Sequence, residues 1–169
     1  MSLYPTFTCI RYFATDEFSN LRLQALRHDL WARLTGKSNR LSVFPGLAEV
    51  GMANKIFAGC VEIPLEKITG TFDRNQDFDR QFRPLKKHLM ERWVNVYLSR
   101  ENWPPIVVHK VGESYYVEDG HHRVSVARAL GMAYLTASVW EYPSKAAAPE
   151  TCPSPVRAGK RSLVSPAHS

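Results

Sequence analysis

One stretch constrains this chain more than any other: Tyr115-Tyr116-Val117-Glu118-Asp119-Gly120-His121-His122-Arg123-Val124-Ser125-Val126-Ala127-Arg128-Ala129-Leu130-Gly131. It opens with the β-rich run Tyr115 to Val117 and bends at Asp119-Gly120, a dipeptide that tolerates tight backbone turns. A short helical pattern follows, with Val124, Ala127 and Leu130 on one face and Gly131 at the stop position. His121, His122 and Arg123 therefore open a helix that leaves a strand. The first N–H groups of a helix lack intrahelical partners, and its dipole puts partial positive charge at that end. With a guanidinium and two imidazoles added, the residues suit a phosphate or another anion.

The chemistry available at this turn is narrow. Adjacent histidines on a helix point about 100° apart, whereas helical metal pairs sit at i, i+4. No metal site is therefore expected from His121 and His122. One imidazole is expected to donate to the anion and the other to fix the turn. Glu118 and Asp119 are the candidate catalytic groups, since a carboxylate beside a phosphate can hold Mg²⁺ or accept a proton. For Asp119 the competing role is capping and turn formation.

DGHHRVSVARALG resembles the strand–turn–helix signature of the ParB/sulfiredoxin superfamily, in which a G-x-x-R motif opens a helix and contacts nucleotide phosphates. Gly120-His121-His122-Arg123 matches G-x-x-R. IPLEKI (Ile63 to Ile68) resembles the family's opening strand, and PPIVVHK (Pro104 to Lys110) the strand before the signature hairpin. The resemblance spans Val61 to about Trp140. It implies an α+β fold, a small mixed β-sheet with packed helices, and phosphate or nucleotide binding by Gly120, His121, His122 and Arg123. It also implies an arginine after the first strand, for which Arg80 or Arg83 stands, Arg80 being the choice. The implied cofactor is a nucleotide, ATP or CTP, with Mg²⁺; the implied further partner is DNA, through non-specific backbone contacts. Superfamily members also include nucleases, nucleotide hydrolases and a small-molecule kinase, so phosphotransfer or hydrolysis is the alternative to simple binding. Sulfiredoxin carries its catalytic cysteine just after the motif glycine. His121 stands there in this chain, so sulfinic-acid reduction is not implied. Nor does the sequence beyond Tyr142 read as the helix-turn-helix that gives partitioning proteins sequence-specific DNA recognition.

Elsewhere the sequence speaks of fold. From Asp16 a helix is expected, capped by Thr15 or Asp16, with Leu23, Leu26, Leu30 and Leu34 as its packed stripe, Trp31 beside it, and Arg22, Arg27 and Arg33 on a solvated side. Met1 to Thr15 reads as a strand or an arm. A weak helix is expected over Leu47 to Ala53. Val61 to Leu65 reads as a strand with Pro64 at an edge or end, and Thr69 to Arg83 as a polar loop pinned by Phe72, Phe78 and Phe82 and by Asp–Arg pairs. Pro84 is placed to start a helix through Arg100, with Leu85, Leu89, Trp93, Val96 and Tyr97 inward and His88 on the surface. Ile106 to Lys110 is a buried strand, Val111 to Ser114 a hairpin turn, and the alternation from Tyr134 to Trp140 a last strand.

At 169 residues with 44% hydrophobic content, the chain has material for one core. The expected layout is one domain over residues 1–142, its core at 61–142 behind an N-terminal helical extension. Residues 143–169, with five Pro, five Ala and five Ser, have too few apolar groups to order themselves and read as a disordered tail. The net charge of +6 divides into +3 for that tail (Lys145, Arg157, Lys160 and Arg161 against Glu150) and +3 for the body, an excess that favours anions without specifying DNA. Cys9, Cys60 and Cys152 are far apart and odd in number, which reads as isolated thiols in a reducing cytoplasm. No membrane-spanning run is visible, and the oligomeric state is left open.

Overall fold

The computed structural model describes residues 4–46 and 55–142; the helix expected over Leu47 to Ala53, the tail and Cys152 lie outside them. At its centre is a six-stranded mixed sheet. The strands are β1 (Ser42–Val43), β2 (Ile56–Pro64), β3 (Ile68–Thr71), β4 (Ile106–Val111), β5 (Ser114–Asp119) and β6 (Tyr134–Glu141), in the order β1-β3-β5-β4-β6-β2. The hairpin β4–β5 turns at Gly112, whose φ of +58° suits a residue without a Cβ. It is flanked by parallel partners, β3 beside β5 and β6 beside β4. β2 closes one edge antiparallel to β6, with Pro64 at its end, where a missing N–H is harmless. The class is α+β, as expected.

The helices are α1 (Tyr4–Leu34), α2 (Met90–Leu98) and α3 (His121–Ala129). Val108, Val117, Ala137 and Val139 from the sheet meet Val124, Val126 and Ala127 of α3 and Leu89, Trp93 and Val94 of the α2 region. Trp93 is fully buried, meets Phe18 of α1 edge to face at 5.8 Å, and donates its indole N–H to Ser125 Oγ at 2.9 Å. Val124 to Ala127 are all buried while Leu130 is exposed, so α3 is enclosed rather than amphipathic. On the opposite sheet face, Phe44, Phe72 and Tyr142 surround the ring of His109, and Tyr116 meets Phe44 edge to face.

Four expectations are corrected. Residues from Tyr4 onward are helical, so neither a strand nor an arm precedes Asp16. The face of α1 that packs is Ala14, Phe18, Ala25 and Ala32; Leu23, Leu26, Leu30, Trp31 and Leu34 are exposed. Small residues let α1 approach the body closely, with Phe18 as a large buried knob and Leu21 packed partly buried against the core, and Arg22 reaches the Leu85 carbonyl at 3.2 Å from the side. The loop expected over Thr69 to Arg83 begins as the inner strand β3. Pro84 does not start a helix: it bridges to Phe78, Lys86 remains extended, and a 3₁₀ turn at Lys87–Leu89 leads into α2. The rest of that loop does depend on internal pairing. Asp79, fully buried, accepts from the backbone N–H groups of Gln81 and Arg83 and from the Arg83 guanidinium at 2.9 and 2.7 Å.

Candidate phosphate-binding cleft

Strand β5 ends at Asp119 and α3 begins at His121, so the joint is a single residue, Gly120. Its φ of +102° is one that residues with a side chain rarely adopt. A Cβ there would overlap Cγ2 of Ile106 and lie 2.8 Å from its Cβ. Glycine thus lets the helix leave the sheet edge at once. Among the described residues no side chain caps the N-terminus of α3, so its first N–H groups stay available to a ligand.

A cleft of about 100 Å³ opens at this end of α3. It collects the joint itself, Glu118 to Arg123, with Asp73 and Arg74 from the loop after β3 and Arg92 and Val96 from α2. Arg80, the arginine favoured on sequence, is exposed and does not line it; its backbone N–H donates to the Asn39 carbonyl at 2.9 Å. Arg83 is committed to Asp79. Arg74 is the loop arginine that borders the cleft, and it is reached only because β3 runs to Thr71.

The two histidines are buried and differ in their partners. Thr71 Oγ1 accepts the N–H of Arg74 at 2.9 Å and that of Asp73 at 3.3 Å, and lies 2.7 Å from His121 Nε2. With its lone pairs so engaged, the hydroxyl donates to Nε2, which leaves the proton of His121 on Nδ1. His122 lines the same cleft with Nε2 buried and, among the described residues, without a hydrogen-bond partner. Desolvation, then the Arg74 guanidinium, depresses the pKa of His121 to about 4; desolvation, then Arg92, does the same for His122. Both rings are neutral at pH 7.

Arg123 is placed differently from its neighbours. Its Nη1 donates to the carbonyls of Pro104 and Pro105, the latter at 2.8 Å, and its Nη2 pairs with Asp119. The guanidinium therefore ties the Pro104-Pro105 segment to the joint, and much of its donor capacity is spent within the protein. Asp119 pairs with Arg123 and caps no helix. Glu118 is half exposed on the cleft, and its Oε2 lies 2.7 Å from Nε2 of buried His109. An ionised carboxylate can only accept, so Nε2 carries the proton, and Nδ1 accepts the Tyr142 hydroxyl at 3.0 Å. Burial raises the pKa of that phenol, which keeps it a donor. His109 was invisible in the sequence as part of any site, because it reads as one polar residue in an apolar strand. Arg92 was likewise not singled out, because it is one basic residue on an exposed side of a packed helix. Among the described residues no group of three or more His, Cys, Asp or Glu side chains gathers to hold a metal ion, and no helix is long and apolar enough to cross a membrane.

No family model matches the chain, and no curated protein matches it significantly. Among solved structures it is similar to sulfiredoxin from Arabidopsis thaliana, at 24% identity over 47% of this chain and 82% of that one, with a TM-score of 0.35. It is also similar to a conserved hypothetical protein from Pyrococcus furiosus, at 22% identity over 55% of this chain and 36% of that one, with a TM-score of 0.37. Likenesses of this extent carry neither ligand nor chemistry to this chain.

Proposed function

We propose that the cleft at the N-terminus of α3 binds a phosphate group carried by a nucleotide, ATP or CTP with Mg²⁺, or by a nucleic-acid backbone. The observation that carries the reading is the convergence on one cleft of the uncapped start of α3, Arg74, Arg92 and His122, whose buried Nε2 has no hydrogen-bond partner among the described residues. An unsatisfied buried polar atom costs about 1–3 kcal/mol, a cost a ligand oxygen would remove. Uncapped N–H groups of α3 and the guanidinium groups of Arg74 and Arg92 complement it. A space of about 100 Å³ suits a single phosphoryl group, with the rest of the ligand outside the rim. The phosphate is bound by neutral imidazole, helix N–H groups and arginine, so binding persists above pH 7.

The test is titration calorimetry with ATP, CTP, GTP, pyrophosphate and a short DNA duplex, with and without Mg²⁺, on wild type and His122→Phe. The phenyl ring is apolar and somewhat larger than the imidazole and removes the orphaned nitrogen, so the protein should stay folded while affinity falls at least tenfold. Equal affinity in the two proteins sinks the proposal.

A second reading, phosphoryl transfer or hydrolysis, is favoured by Glu118. Its Oε2 is fixed by His109, while Oε1 makes no hydrogen bond among the described residues. A carboxylate so held could orient a metal-bound or attacking water. Asp119 is the weaker candidate because Arg123 occupies it. Turnover of nucleotide or DNA that Glu118→Gln abolishes with binding intact would establish this reading.

A further inference from the structure

Helix α1 has 31 residues, hence a length of about 46 Å. Its buried residues, Ala14, Phe18, Ala25 and Ala32, share one side, and α2 is its main neighbour. At about 100° per residue, Tyr12, Leu23, Leu26, Leu30 and Leu34 fall within an arc of about 80° on the opposite side. That outer side should be polar in a surface helix. Instead Leu30, Trp31 and Leu34 are 61%, 69% and 74% exposed, and Tyr12, Phe13, Leu23 and Leu26 are exposed with them. The polar residues Asp16 and Ser19 interrupt the arc near Tyr12, so the unbroken part is Leu23 to Leu34. There the intervals 23–26–30 are three and four, the spacing of a helix–helix seam.

We propose that this face is the contact between two copies of the chain, α1 against α1 about a two-fold axis. Three arguments select this occupant. A stripe of one residue type at seam spacing complements itself, which an isologous interface requires. The five exposed side chains of the unbroken part, Leu23, Leu26, Leu30, Trp31 and Leu34, present roughly 550 Å², so two copies would bury about 1,100 Å², just above the roughly 1,000 Å² that a specific interface needs. The chain itself offers no adequate cover in its C-terminal segment, since residues 143–169 have only Val156, Leu163 and Val164 as large apolar side chains. The buried side of α1 holds the helix to the body, so the outer side can be changed without unfolding it.

Sedimentation equilibrium of the full chain, from micromolar to near-millimolar protein, is the test. Wild type should show the mass of two chains. Leu30→Glu/Leu34→Glu should be monomeric with unchanged circular dichroism. Should that variant misfold, the milder Leu30→Gln should still raise the dimer dissociation constant at least tenfold. A monomeric wild type overturns the proposal, as does a dimer indifferent to either substitution. Deletion of residues 143–169 that turns a monomer into a dimer would show the tail to be the cover. A monomer that sediments with phosphatidylglycerol vesicles would give the face to a membrane surface. Either result overturns the two-copy contact.

Discussion

Replacing Gly120 by alanine tests the joint on which the cleft depends, and the structure supplies its own controls. At Gly120 two costs combine. An alanine at φ +102° is strained by about 1–3 kcal/mol. Its Cβ would also overlap the Ile106 side chain, fully buried in the core, for about another 1–3 kcal/mol of overpacking. At Gly112 and Gly131 the φ values are +58° and +68°, and nothing lies within 4 Å of an added Cβ. Alanine there meets only the left-handed cost, about 1–2 kcal/mol. Chemical denaturation of the three variants separates the contributions. Gly120→Ala should lose roughly 2–6 kcal/mol, which at about 2–4 °C per kcal/mol lowers the melting temperature by roughly 4–24 °C. Gly112→Ala and Gly131→Ala should lose no more than about 2 kcal/mol. On an Ile106→Ala background part of the Gly120→Ala cost should disappear, because the overlapping Cγ2 is gone. Equal losses at all three glycines would refute the close approach of the joint to β4.

Further outcomes follow from the buried polar groups. Asp79→Ala leaves the Arg83 guanidinium buried without its carboxylate, so denaturant unfolding should show a loss of about 3–5 kcal/mol. Trp93→Ala empties the largest fully buried side chain and should cost about 3–5 kcal/mol by the same measurement. His121 and His122 titrate near 4 when folded against an ordinary 6.5, so the unfolded chain binds more protons between those values. Their contribution is complete above pH 6.5 and is lost as pH falls towards 4, on the order of 3 kcal/mol per ring. His121→Gln/His122→Phe should flatten the stability–pH curve within that window, and an unaltered slope would mean that neither ring is held neutral.

What was legible in the sequence followed from strong local signals. The turn at Asp119-Gly120, the apolar run of β4 and the alternation of β6 fix their own conformations, and each element formed where expected. What escaped depends on partners. β3 is four residues long and includes Gly70, so only pairing with β5 makes it a strand. With β3 read as loop, Arg80 was chosen rather than Arg74, which borders the cleft. In α1 a leucine stripe outweighs alanines in any count of hydrophobic residues, yet close helix packing selects small side chains, and the buried side is mostly alanine. Tertiary context reversed that helix, because periodicity finds an apolar face without saying what lies opposite it.

The cleft also gives Arg123, expected from its motif to bind phosphate, a second role within the protein. A G-x-x-R pattern places the arginine one turn into the helix, where it reaches either a ligand or the loop beneath. Here Pro104 and Pro105 cannot donate hydrogen bonds from their own nitrogens, but their carbonyls face the guanidinium and take Nη1. Arg123→Ala should therefore destabilise the fold as well as the site. Arg123→Lys should not restore it, since one ammonium lacks the fork needed to span both carbonyls and Asp119. Arg92→Ala removes cleft charge from an exposed residue of α2 and should weaken phosphate binding at unchanged stability. Measured side by side, melting temperature and phosphate affinity should separate the two arginines, with Arg123 moving the first and Arg92 the second. If Arg123→Ala melts like wild type, the Pro104-Pro105 segment is held by something other than that guanidinium, and the structural role assigned to it fails.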